Sequence, residues 1–372
     1  MSKAFTAGIL LVIFYFGSFF PAFSQLTTTP NGGNKKASVS ERVGLTDVTI
    51  HYDRPGVKGR DGQIWGKLVA TGYTDQGFGT SKAAPWRAGA NENTTIEFST
   101  DIKIEGQDLP AGKYGLFIAY DPSECTLIFS KNSSSWGSFF YDPKEDALQV
   151  KVRPQPMSNN VEWLKYEFLD QKESSATIAV EWEKLMIPFT VTTDLINLQL
   201  ASFRRELRSD KGFTWNAWDQ AAQFCIQHNT NLDEALSWSN TAVSGTFVGQ
   251  KNFQTLSTKA QVLALQGKKE EADALMKEAL PLGAVGDVHQ YARQLLAQKK
   301  TKEAFDAFKL NYDKHPGEFT TNMGMARAYS GTGDYKKALA FLMKAQPQAP
   351  DPANKANIEK FIKMLQEGKD IN

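Results

Sequence analysis

From Ala37 to about Thr193, apolar and polar residues alternate with a period near two. In DVTIHYD, Val48, Ile50 and Tyr52 share one face while Thr49, His51 and Asp53 share the other. That is the pattern of a strand with one side buried. The stretches TTIEFS, DIKIEG, KYGLFIAY, CTLIFS, ALQVKVR, VEWLKYEFL, ATIAVEWE and LMIPFTVTT repeat the theme. Glu105-Gly106, Pro110-Ala111-Gly112, Asp121-Pro122 and Asp142-Pro143 punctuate them as turns. Many short strands with no helical pattern between them predict an antiparallel β-sandwich or jelly-roll-like domain over 37–193. One connection, Arg54 to Ala90, breaks the rhythm. It is long and rich in Gly, has room for at most a short helix near Ile64 to Val69, and at that length is expected to be functional or mobile.

After Asp194 the β-branched runs stop. Leu195, Leu198, Phe203 and Leu207 form a helical stripe, which predicts a linking helix within 194–212. Residues 213–372 then hold a repeat. QGKKEEADALMKEAL, QKKTKEAFDAFKLNY and GTGDYKKALAFLMKA align on Ala272, Ala304 and Ala338, and a weaker copy aligns on Ala235. This segment resembles the tetratricopeptide repeat, a helix–turn–helix unit of about 34 residues. In the last copy Ala326, Tyr329, Gly333, Ala338, Ala345 and Pro350 fall on that family's small, aromatic, turn, small, small and proline positions. The early Trp of the family is missing. The small residues let paired helices approach closely, so they carry packing and not chemistry. Three good copies and a degenerate one suffice for a continuous core, and the resemblance implies a protein or peptide partner.

Ahead of the sandwich, MSKAFTAGILLVIFYFGSFFPAFSQ carries one Lys, an apolar run from Ala7 to Phe20, and small residues before Gln25. The run is short for a bilayer span. Residues 1–24 are therefore expected to be a signal peptide, which places the mature chain in the periplasm or outside the cell with no stable membrane span left. Residues 25–36, QLTTTPNGGNKK, are expected to be a flexible leader. Across the 372 residues, 42 basic and 41 acidic side chains leave a net charge of +1, so no basic field exists to steer nucleic acid. The two cysteines, Cys125 and Cys225, fall in different expected domains and read as buried small hydrophobes rather than a disulfide.

Candidate chemistry is thin. No two of the four histidines stand at metal-ligand spacing, and no thiol pair, nucleophile elbow or EF-hand loop occurs, so neither a metal nor a cofactor is expected. GQIWGK lacks the length and the Ser or Thr of a phosphate loop. His228, His289 and His315 are placed at helix or repeat ends, in capping or surface roles. Polar density is left in two stretches. HYDRPGVKGRDGQIWG offers His51, Asp53, Arg54, Lys58 and Arg60, and WRAGANEN offers Trp86, Arg87, Asn91 and Glu92. These nine are the candidate binding residues. One alternative is a hydrolase with His51 or Glu92 as base and Arg54 and Arg87 stabilising an anion. The other is an ion-pair network that pins the long connection to the sandwich, with Trp86 either lining a surface or stapling the loop. In SKNSSSWGSFFYDP, Trp136, Phe139 and Tyr141 read as core or strand-edge packing.

The β-domain also resembles DUF2911, a family of uncharacterised exported bacterial proteins. The resemblance rests on YDRPGVKGR, IWGKLV, PWRAGANENTTIEFSTDIKIEGQDLPAGKYGLF, LIFSKNSSSWGSFFYD and DALQVKV, which span roughly Ser38 to Arg153. It implies a secreted or periplasmic β-sandwich of the Bacteroidetes type, with helical repeats often behind it, and supplies no reaction. The insert ATGYTDQGFGTSKAAP (70–85) departs from that pattern. The expected function is an exported, non-enzymatic binding or scaffold protein. Its β-domain would take a small molecule, glycan or other envelope ligand, and its repeats a protein or peptide.

Overall fold

The computed structural model describes residues 33–372, so the expected signal peptide and most of the expected leader lie outside the described residues. Two compact units divide after Thr193.

The first unit is two antiparallel sheets. The larger has six strands, hydrogen-bonded in the order β1 (Lys35–Val43), β2 (Thr46–Arg54), β3 (Thr95–Phe98), β6 (Gly112–Ala119), β7 (Cys125–Ser130) and β8 (Asp146–Val152). The smaller has four, in the order β5 (Gln107–Leu109), β4 (Ile102–Ile104), β10 (Ser175–Thr193) and β9 (Gln155–Leu169). The inward-facing set of each strand forms one core, with Ile50, Ile96, Leu116, Leu127 and Phe129 from the larger sheet and Leu164, Ile178, Trp182 and Phe189 from the smaller. This is the sandwich the period-two pattern predicts.

Three details differ from the sequence reading. Lys35 and Lys36 are not leader. They already pair with Arg54 and Asp53 in the β1–β2 ladder. ATIAVEWE and LMIPFTVTT are not two strands but one, β10, bent by register shifts between Glu181 and Leu185, where Glu183 sits at φ +53°. A bulge absorbs the change of phase that makes the sequence look like two runs. Residues Ile64 to Val69 form no helix. They are a chain of turns in which Val69 donates back to the Ile64 carbonyl at 2.8 Å and Ile64 is fully buried.

The second unit is helical. Helix α1 (Leu195–Glu206) is followed by four antiparallel hairpins: α2 (Trp215–His228) with α3 (Leu232–Ser244), α4 (Phe253–Leu265) with α5 (Lys269–Ala279), α6 (Val285–Ala297) with α7 (Thr301–Lys314), and α8 (Phe319–Gly331) with α9 (Tyr335–Ala345). Helix α10 (Pro352–Gln366) packs on α9. The aligned alanines Ala235, Ala272, Ala304 and Ala338 are all buried on the second helix of a hairpin. Each lies where a larger side chain would push the pair apart. First helices pack on first helices, α2 on α4 and α6 on α8, with no comparable packing among second helices of the described residues. That closer side is the inner face of the stack. Both cysteines are buried and free.

Candidate functional site

The nine candidate residues do not form one site, because the chain sends them to four places. After β2 the backbone leaves the larger sheet and runs beside β9, where Leu164 donates to the Pro55 carbonyl at 3.0 Å and Val57 to that of Glu162 at 2.8 Å. Arg54 points to that junction. Its Nε donates to the Leu164 carbonyl at 2.7 Å, and its Nη2 reaches that of Trp163 at 3.4 Å. Lys58 lies over the Trp163 ring at 5.7 Å, and Arg60 folds back onto the Gly56 and Val57 carbonyls at 2.7 and 3.0 Å. These three cations latch the crossing between the sheets. His51 stands exposed on the outer face of β2, opposite Ser38 and Thr95.

Trp86 staples the connection to the core. Its backbone exchanges both hydrogen bonds with Ile118 at the end of β6, and its ring stacks on Trp182 at 6.2 Å and meets Trp65 edge-on at 5.5 Å. Its indole N–H is spent on the Gly89 carbonyl at 3.1 Å. Arg87 donates to the Asn91 carbonyl at 2.8 Å and lies over the Phe139 ring at 5.3 Å, with burial pulling its guanidinium below the usual arginine range. Ala88, buried at φ +52°, offers its carbonyl to Thr94 and Tyr166, and Gly89 leaves no room for a Cβ against Thr94. WRAGANEN is therefore a tightly bonded plug.

Asp53, Asn91 and Glu92 do converge, with Lys36 as a fourth member that the sequence reading assigned to the leader. Asn91 donates to Asp53 Oδ1 at 3.1 Å, and Lys36 Nζ meets Glu92 Oε1 at 2.8 Å. Burial raises the Asp53 carboxyl above its ordinary range, with the Glu92 carboxylate beside it adding to the effect. The Lys36 hydrogen bond lowers that of Glu92. Of the two carboxyls Asp53 is the one that holds a proton more readily, and Glu92 Oε2 is buried without a partner among the described residues. The pair is held from above by the plug, since Gly89 presses on the Asp53 backbone.

Two features were missed in the sequence. The first is a cleft of about 550 Å³ between the insert and the loop after β7, with Tyr73, Ser81, Tyr141 and Gln149 among its walls. SKNSSSWGSFFYDP is no strand edge here but a loop gripped by the insert. Ser81 donates to the Phe139 carbonyl at 3.0 Å and Gln76 to Ser138 Oγ at 3.0 Å. Gly79, at φ +77°, approaches Phe139 so closely that a Cβ would stand 2.2 Å from its carbonyl oxygen. Nothing in the composition of the insert announces these contacts, which join residues about 60 positions apart.

The second lies on the inner face of the repeats. His289 is not at a helix end but within α6. Its ring is 5.3 Å from Phe308, its Nδ1 is buried without a partner, and desolvation lowers its pKa to about 4, with Arg327 and Arg293 adding repulsion. Asp370 to Asn372 lie along α8 in the same region. Arg327 donates to the Ile371 carbonyl at 3.2 Å, and Ser330 bridges the Asp370 carboxylate at 2.6 Å and the Ile371 N–H at 3.1 Å. Asn372 donates to the Arg327 carbonyl at 3.0 Å, and the Ile371 side chain is buried with Ala326 and Ile358. Among the described residues no helix is long and apolar enough to cross a membrane.

Residues 34–191 match the family model described as a protein of unknown function, DUF2911, and residues 295–357 match that of the tetratricopeptide repeat. No curated protein matches the chain. Among solved structures, the chain is similar to YrrB, described as a TPR protein with an unusual peptide-binding site. Identity there is 20%, covering 44% of this chain and 84% of that one, with a TM-score of 0.30. It is similar to MamA at 12% identity, covering 42% and 85%, with a TM-score of 0.31. A thermophilic TPR protein from Thermus thermophilus matches at 15%, covering 45% and 91%, with a TM-score of 0.29.

Proposed function

We propose that this chain, a DUF2911 β-domain followed by tetratricopeptide repeats, is an exported binding protein that holds a protein partner on the inner face of its repeats and an envelope component on its β-domain. One observation carries the first half of the reading. The inner face holds residues 370–372 through the side chains of Arg327 and Ser330, with the Ile371 side chain buried against Ala326 and Ile358. Arg293 lies close enough to Arg327 to repel it, and the two guanidinium groups together keep that face receptive to acidic chains. Export rests on the apolar run and small-residue site ahead of Gln25.

A hydrolytic reading draws less support. Arg54 and Arg87 direct their donors to backbone carbonyls on different elements, so no shared anion position faces His51 or Glu92. The test compares immobilised wild-type chain with an Arg293→Glu/Arg327→Glu double variant in an envelope extract. Proteins retained by the wild type should be lost from the variant, while equal retention by both would remove the inner face from consideration. N-terminal sequencing of the same protein should begin at Gln25.

A further inference from the structure

The cleft between the insert and the loop after β7 has walls fixed in place before any ligand arrives. Ser81 and Gln76 bond across it, Gly79 abuts Phe139, and Thr74 pairs with Ala84 to close the insert on itself. Its floor is equally tied. Tyr141 and Gln149 both donate to Asp146 Oδ2 at 2.7 Å, and Asp146 Oδ1 is a buried acceptor with no donor among the described residues. Burial and the neighbouring Asp142 and Glu145 raise the Asp146 carboxyl, and burial raises both the Tyr73 and Tyr141 hydroxyls, so both tyrosines stay neutral.

The charged side chains around the cleft are engaged within the protein. Lys82 pairs with Asp75 at 3.2 Å, Asp142 accepts from the Lys144 backbone at 2.9 Å, and Asp146 takes the two bonds above. What is left for a ligand is neutral. It comprises the Tyr73 hydroxyl, which makes no hydrogen bond among the described residues, the Thr80 and Ser81 hydroxyls, and the Gln149 amide oxygen. Tyr73 adds an aromatic wall that the fold leaves partly in water, and the insert and the loop after β7 carry further exposed rings. Phe78 is 63% exposed, Phe140 44% and Tyr73 43%, with Phe78 fixed edge-on to Phe139 and Phe140 at 5.3 and 5.9 Å. Exposed rings held rigid next to neutral donors and acceptors mark a binding surface rather than ordinary surface scatter.

We propose that this cleft binds a neutral glycan, one sugar ring stacking on Tyr73 while its hydroxyls bond Ser81 and Gln149. The apolar C–H face of a pyranose matches the rings, and its hydroxyls both donate and accept, as the cleft requires. An organic cation would find the Asp146 carboxyl buried beneath its bonds from Tyr141 and Gln149, and an anion would find Lys82 paired with Asp75. The site is independent of the repeats, so its failure leaves the partner reading untouched.

The experiment is saturation-transfer NMR on the full chain with four neutral probes: maltohexaose, cellohexaose, chitohexaose and a mannan hexasaccharide. At least one should receive transfer from the aromatic envelope. Tyr73→Ala and Gln149→Ala should each weaken it by about tenfold, the scale of one aromatic or hydrogen-bonding contact. Tyr73 is partly exposed and makes no hydrogen bond among the described residues, so that substitution leaves the fold intact, which unchanged thermal unfolding checks. Transfer to none of the four overturns the proposal, as does binding indifferent to both substitutions or transfer seen only with choline or inorganic phosphate.

Discussion

Asp53 shows how a single residue can look like chemistry in a sequence and serve structure in the fold. A carboxylate two positions from a histidine on one strand face reads as an acid–base pair. In the structure His51 stays in water, while Asp53 is closed over by Gly89 and Asn91, and burial together with the Glu92 carboxylate beside it raises its carboxyl. The consequence has a definite sign. A carboxyl whose folded pKa is raised contributes stability that is full below its unfolded value near 3.8 and is lost as pH rises through the folded value. Asn in place of Asp keeps the acceptor for Asn91 and gives Glu92 a permanent donor. Asp53→Asn should therefore leave thermal stability unchanged near pH 4 and raise it at pH 7 to 8. A loss of stability at pH 7 would show that ionised Asp53 is needed.

At the scale of elements, the strands were legible wherever one face is buried, because burial forces alternation. The hairpin strand β5 was hidden among turn signals, being three residues long, and the bulge in β10 split one strand into two apparent runs. The alanine spacing revealed the hairpins for the same reason that alternation revealed strands, since close packing repeats with the element. Contacts that join distant loops left no periodic trace. That is why the insert's grip on the loop after β7 and the Arg54 latch on β9 could not be read in advance, although the polar loops themselves could. His289 belongs to this class as well. Its position in the sequence was visible, but its burial against Phe308 was not. Buried neutral, and facing Arg293 and Arg327, it resists protonation down to about pH 4. Below the unfolded value of 6.5 the unfolded state gains a proton that the folded state refuses. Stability of the repeats should thus fall as pH drops from 6.5 toward 4 and hold steady above it. His289→Gln should flatten that window in helical thermal melts recorded from pH 7 to 4. An unchanged slope would place the acid sensitivity elsewhere.

For the whole molecule, the proposals put a different recognition surface on each of two compact units: the aromatic cleft on the sandwich, and an inner helical face against which residues 370–372 of the same chain already lie. The central claim concerns the second. If Asp370 to Asn372 occupy a peptide site, they compete with any partner for Arg327 and Ser330, and removing them should open it. Fluorescence anisotropy of a labelled peptide with the sequence GKDIN tests this directly, using the intact chain, the chain shortened to end at Gly368, and the shortened chain carrying Arg327→Ala. The shortened chain should bind the peptide, and the intact chain should bind it at least about tenfold more weakly because its own segment competes at high effective concentration. Arg327→Ala should abolish binding. Failure of the shortened chain to bind the peptide, or binding that ignores Arg327, would contradict the claim.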